Sequence, residues 1–111
     1  MEIQEQTQGA VTVIKPTGPL TQADAEQLRN SVMETANKSS GRFVIDASGI
    51  AFIDSAGVEL LVDLTERMAE SGQALKLCGV TETLREVLEL TGWSDTFEFF
   101  DDLNTGVRSF L

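Results

Sequence analysis

The chain predicts a single small α/β domain, a mixed sheet of four to five strands flanked by about four helices, in the order β-β-α-β-α-β-α-β-α. Three observations carry that class. Phe43, Val44 and Ile45 form a short unbroken apolar run, the mark of a strand covered on both faces of a parallel sheet. Behind it the apolar residues recur at helical spacing, at Val58, Leu61, Val62, Leu64, Met68 and Ala69. A second short apolar run, 74–78, follows that helix. Strand, helix and strand in this order make a right-handed crossover, so the two strands should lie parallel in one sheet, bridged by a helix over 57–70.

Taken in order, residues 1–7 are polar around an isolated Ile3 and suit an edge strand. Gly9-Ala10 turns into Val11-Thr12-Val13-Ile14, whose branched side chains favour a strand. Pro16, Gly18 and Pro19 stop it, and the two segments read as a hairpin. Thr21-Gln22-Ala23-Asp24 approximates a capping box, with Asp where Glu or Gln is usual. The helix behind it carries Ala25, Leu28, Val32 and Ala36 on one stripe and stops at Asn37-Lys38-Ser39-Ser40-Gly41. After the strand at 43–45, Asp46 and Ser48-Gly49 supply turn chemistry. Asp54-Ser55-Ala56-Gly57 opens the second helix, since Asp and Ser accept hydrogen bonds from the unpaired N–H groups of a first turn. That helix closes at Ser71-Gly72. Thr81 or Thr83 caps a third, with Leu84, Val87, Leu88 and Leu90 turned to the core and Gly92 at its end. The run 96–99 reads as the last strand, and Asp101-Asp102 caps a final helix carrying Leu103, Val107, Phe110 and Leu111.

Composition narrows the function. At 111 residues the chain can bury one core but not two. Eight basic residues against 18 acidic ones leave a net charge of −10, which argues against nucleic acid or an anionic membrane surface as partner. A single cysteine excludes an internal disulfide and a cysteine-based zinc site. The absence of histidine removes the Ser-His-Asp and Cys-His constellations, the usual zinc ligands and the commonest general base. No signal segment opens the chain and no apolar run reaches membrane-spanning length, so the cytoplasm is the expected compartment.

Ser55 is the leading candidate site. Its hydroxyl should sit at the positive end of a helix dipole, on a loop at the rim of the sheet. The bland reading of such a serine is a helix cap. The sharper reading is a phosphorylation switch, because first-turn N–H groups and the dipole tolerate an anion. A phosphate adds roughly −1.5 to −2 charge beside Asp54 and Glu59. Asp46 and Asp54 could form a carboxylate pair for acid–base work or Mg²⁺, yet the nucleophile, the phosphate-binding Gly-Lys loop and a third acidic ligand are missing, which favours capping. Cys78 reads as a buried small hydrophobe, Trp93 as core packing, and Lys76 and Arg85 as solvated charges.

The stretch Ile53-Asp54-Ser55-Ala56-Gly57-Val58-Glu59-Leu60-Leu61, following a strand that ends in Asp46, resembles the Asp-Ser-x-Gly signature of STAS domains of the anti-sigma factor antagonist type. The order of elements matches that family along nearly the whole chain. The resemblance implies a non-catalytic regulator without a cofactor, in which Ser55 is the phosphorylated serine. It implies as partners an anti-sigma factor that is a serine kinase of the histidine-kinase ATPase fold, and a PP2C-type phosphatase that resets the switch. Docking would use Thr21, Asp54, Ser55, Ala56, Gly57 and Glu59. The family's Gly-Glu-Leu-Asp after the second strand is here Gly18-Pro19-Leu20-Thr21, so both acidic positions are lost. Ala56 stands where many antagonists have Ser or Thr, and is shared with STAS subunits of lipid-transport ATPase complexes. The alternative is therefore a constitutive subunit of a transporter or signalling complex, using the same surface without phosphorylation.

Overall fold

The computed structural model describes residues 1–111. Strands β1 (Glu2–Gln8) and β2 (Val11–Thr17) form the hairpin, followed by helix α1 (Gln22–Lys38) and strand β3 (Phe43–Asp46). Helix α2 (Ser55–Glu70), β4 (Lys76–Cys78), α3 (Glu82–Leu90), β5 (Glu98–Phe100) and α4 (Leu103–Arg108) complete the chain. The five strands lie in one sheet in sequence order. β1 is antiparallel to β2 and every later pair is parallel. Ile45 pairs with Leu77, so the strands on either side of α2 are adjacent and parallel as the apolar runs required.

The alternation of a strand divides the core into two layers. Ile14, Phe43, Ile45 and Leu77 face α1, α2 and α3, where they meet Leu28, Val32, Leu60, Leu61, Leu64, Leu84 and Leu88. On the other face Val11, Val13, Val44 and Cys78 form a smaller patch, covered by Leu103, Val107 and Phe110 of α4 and its flank. An unbroken apolar Phe-Val-Ile run is needed because both faces of β3 are buried.

Several expectations change. The last strand is Glu98–Phe100, because Ser94–Thr96 winds into a 3₁₀ turn. Leu90 is 80% exposed: it lies two residues beyond the inward-facing Leu88, about 200° around the helix. Leu111 lies past the end of α4 and is fully exposed. Thr21 makes no side-chain cap; its hydroxyl donates instead to Asp24 Oδ2 at 3.3 Å. Lys76 is no solvated charge, with a side chain only 15% exposed. Its Nζ donates to Ser109 Oγ at 2.8 Å, lies 3.8 Å from the Glu98 carboxylate and sits 3.8 Å from the centre of the Phe110 ring. Arg85 stacks on Phe99 at 4.4 Å. No helix is long and apolar enough to cross a membrane.

Beyond the ends of β2 and β3 the chain stays zipped. Gly18 N–H donates to Gly49 C=O at 3.0 Å, Leu20 N–H to Phe52 C=O at 2.8 Å, and Asp54 N–H to Leu20 C=O at 3.2 Å. Leu20 and Ile53 form an isolated parallel bridge, and both side chains are buried with Ile50. This short extension of the sheet fixes the loop that carries the candidate site.

Candidate functional site

Asp54 is the pivot. It is the N-cap of α2, and its Oδ1 accepts the Gly57 N–H at 2.9 Å. Its Oδ2 accepts the Gln22 N–H at 3.0 Å, in the first turn of α1. One carboxylate therefore caps two helices, which explains why Thr21 need not cap the first. The Gly57 bond is the main reason the Asp54 carboxyl titrates below its ordinary range, with the Gln22 and Ala56 amides adding to it against the opposing effect of desolvation. A carboxyl lowered in the fold stabilises above its unfolded value of 3.8, and that stabilisation is lost as pH falls through the folded value. Acid titration of stability should therefore show the parent protein losing more than Asp54→Asn below 3.8, and the two converging in strong acid. Equal acid slopes for the two proteins would contradict the double cap.

Ser55 is the first residue of α2 and is exposed, and no hydrogen bond joins its hydroxyl to the rest of the chain. The capping that a serine here could have supplied is done by Asp54. Glu59 is exposed one turn on, and Ala56 is half-buried. Gly57 is buried, because α2 starts hard against the zipped loop: a Cβ there would lie 2.5 Å from the Leu20 carbonyl oxygen and 2.6 Å from Ile53 Cγ1. Backbone on one side and a core side chain on the other leave no room to yield. Gly57→Ala should lower stability by about 1–3 kcal/mol despite alanine's better helix propensity, as measured by chemical unfolding.

The other candidates stand apart from this cluster. Asp46 spends its Oδ1 on its own turn, accepting the Ser48 N–H at 3.1 Å and the Ser48 hydroxyl at 2.7 Å. No group of three or more His, Cys, Asp or Glu side chains gathers to hold a metal. Burial, with Asp46 and Asp102 nearby, pushes the Cys78 thiol up to about 11, so it stays protonated and inert at neutral pH. Trp93 is half-buried against the main core.

Sequence reasoning missed Phe52, whose side chain is 55% exposed three residues before Ser55. The available signal was a large aromatic inside a turn-rich stretch. None of the molecule's clefts is lined by a residue between 47 and 60, so the Ser55 face offers a surface and not a substrate pocket.

Comparison with known proteins agrees with the fold. The profile of the STAS domain matches residues 2–106. BtrV of Bordetella bronchiseptica, named as a candidate anti-sigma factor antagonist, is 26% identical over 93 residues, covering 84% of this chain and 80% of BtrV. An anti-sigma factor antagonist (STAS) domain protein of Planctomyces limnophilus is 25% identical and superposes with a TM-score of 0.83 over 96% of each chain. The anti-sigma factor antagonist SpoIIAA, 19% identical in its unphosphorylated form, shares the fold with a TM-score of 0.74 over 97% of this chain and 96% of its own. The same fold recurs as 18% of the chain of the murine anion transporter Slc26a9, at a TM-score of 0.77 and 18% identity.

Proposed function

This chain belongs to the STAS domain family, and on that premise we propose that it is a non-catalytic, cytoplasmic binding protein switched by phosphorylation of Ser55. Unmodified, it binds an anti-sigma factor that is also a serine kinase and so frees a sigma factor. Phosphorylated, it lets that partner go, and a PP2C-type phosphatase resets it. The observation that carries the reading is the Ser55 hydroxyl itself: exposed, free of hydrogen bonds, and relieved of capping by Asp54.

Such a hydroxyl can be esterified without breaking anything the fold depends on. The α2 dipole favours the resulting anion, so the fold survives. A partner packed against a neutral hydroxyl instead meets a strongly hydrated dianion, and binding is lost. The resemblance to BtrV supports this assignment. The Slc26a9 likeness is one of fold alone, and it motivates the alternative of a constitutive subunit.

The test is direct. Incubation with ATP and the serine kinases of the histidine-kinase ATPase fold from the source cell should place one phosphate on Ser55, located by mass spectrometry. Ser55→Ala should remain unmodified, and a PP2C-type phosphatase should reverse the reaction. A chain that no such kinase modifies, or that is modified only elsewhere, leaves the constitutive-subunit reading in its place.

A further inference from the structure

We propose that Phe52, flanked by Ala51 and Pro19, is the apolar anchor of the docking surface, and that it inserts into a partner cleft with an apolar floor and a rim of Lys or Arg. This rests on the reading that the Ser55 face binds a protein. Only three large hydrophobic side chains are exposed, Phe52, Leu90 and Leu111, and Phe52 alone stands on the loop that leads into α2. A lone exposed apolar residue is ordinary on any surface. What sets Phe52 apart is how its backbone is held. Ile50 and Ile53, on either side, are buried. Its carbonyl oxygen is fixed by the Leu20 N–H at 2.8 Å, which also places the exposed Pro19 alongside. An aromatic presented from a fixed loop loses little conformational freedom on binding, as an interface anchor requires.

Charge identifies the kind of cleft. No Lys or Arg occurs from residue 16 to 28 or from 43 to 66, the two segments that meet at the Leu20–Ile53 bridge. Asp54 and Glu59 lie in those segments, on a chain of net charge −10, whereas Asp24 is paired with the N-terminal ammonium at 3.1 Å. A complementary partner presents cations around the contact. A wholly cationic cleft, however, would welcome a phosphate on Ser55. Release on phosphorylation therefore requires that Ser55, three residues from Phe52, face the dry apolar floor while the acidic residues face the rim.

The experiment titrates the purified serine kinase that phosphorylates Ser55 against five proteins: the full chain, Phe52→Ala, Phe52→Leu, Leu90→Ala and Ser55→Asp. Phe52→Ala should weaken binding about thirtyfold or more, Leu90→Ala by less than about twofold, and added salt should slow association. Phe52→Leu, which keeps an apolar side chain, should recover most of the affinity, and circular dichroism should show both Phe52 variants folded. If Phe52→Ala binds like the parent while Ser55→Asp does not, the anchor is wrong and the switch stands. If neither variant changes affinity, or the parent does not bind, both fail together.

Discussion

Ser55→Asp should weaken partner binding by about 2–5 kcal/mol while changing stability by no more than ~1 kcal/mol. The first figure follows from an anion placed in the centre of a contact that was built around a neutral hydroxyl. The second follows from the helix: an acidic side chain in a first turn is favoured by the dipole, and the adjoining Asp54 carboxylate already has both oxygens engaged by backbone amides. Ser55→Ala should behave differently from the loss of a helix cap. Asp54 holds that role, so alanine should alter stability by less than about 0.5 kcal/mol, leave the partner bound, and abolish its release by the kinase. Thermal melting and partner titration on the same preparations check both halves. An Asp variant that binds as well as the parent would make Ser55 a bystander.

The largest loss of stability from a single truncation near the site should come from Leu20→Ala, about 2–5 kcal/mol. Leu20 is fully buried although it belongs to no strand or helix. Its carbonyl accepts the Asp54 N–H, its amide donates to Phe52, and its side chain lies beneath Gly57. Removing that side chain opens a cavity under the start of α2, where the backbone is least able to collapse into it. Leu90→Ala, on an exposed position, should change stability by less than about 0.5 kcal/mol. The pair can be read from urea unfolding midpoints at unchanged slope. Similar midpoints for the two variants would mean that the zipped loop is not part of the cooperative core.

Much of this architecture was legible because its signals are local. The run Phe43-Val44-Ile45 announces a strand buried on both faces, and the spacing from Val58 to Met68 announces the stripe of α2. The position of Ser55 at a helix start follows from the same short stretch. What the pattern hid was contact at a distance. Asp54 reaches a backbone amide 32 residues away, and no side-chain pattern encodes an amide. Leu20 and Ile53 are core residues because two loops meet, although each looks like punctuation in its own segment. Lys76 became a packed cation through Glu98 on the neighbouring strand and through Ser109 and Phe110 at the far end of the chain. Leu90 shows the opposite failure: an apolar residue two places from Leu88 looks like part of the stripe, although the helix turns it outward.

The order of the sheet bears on how the molecule comes into being. Because β1 to β5 lie side by side in the order in which they are encoded, each strand leaving the ribosome finds its only earlier neighbour already at the growing edge. The hairpin of β1 and β2 can close within microseconds. Each later strand then closes one crossover of modest length, and loop entropy rises by only about 0.6 kcal/mol for each doubling of that length. No strand waits for a partner still to be synthesised, and none must be threaded between two others. The nascent sheet thus grows at one edge only while β1 remains the other, so no gap between strands is left open for a second unfinished copy to fill.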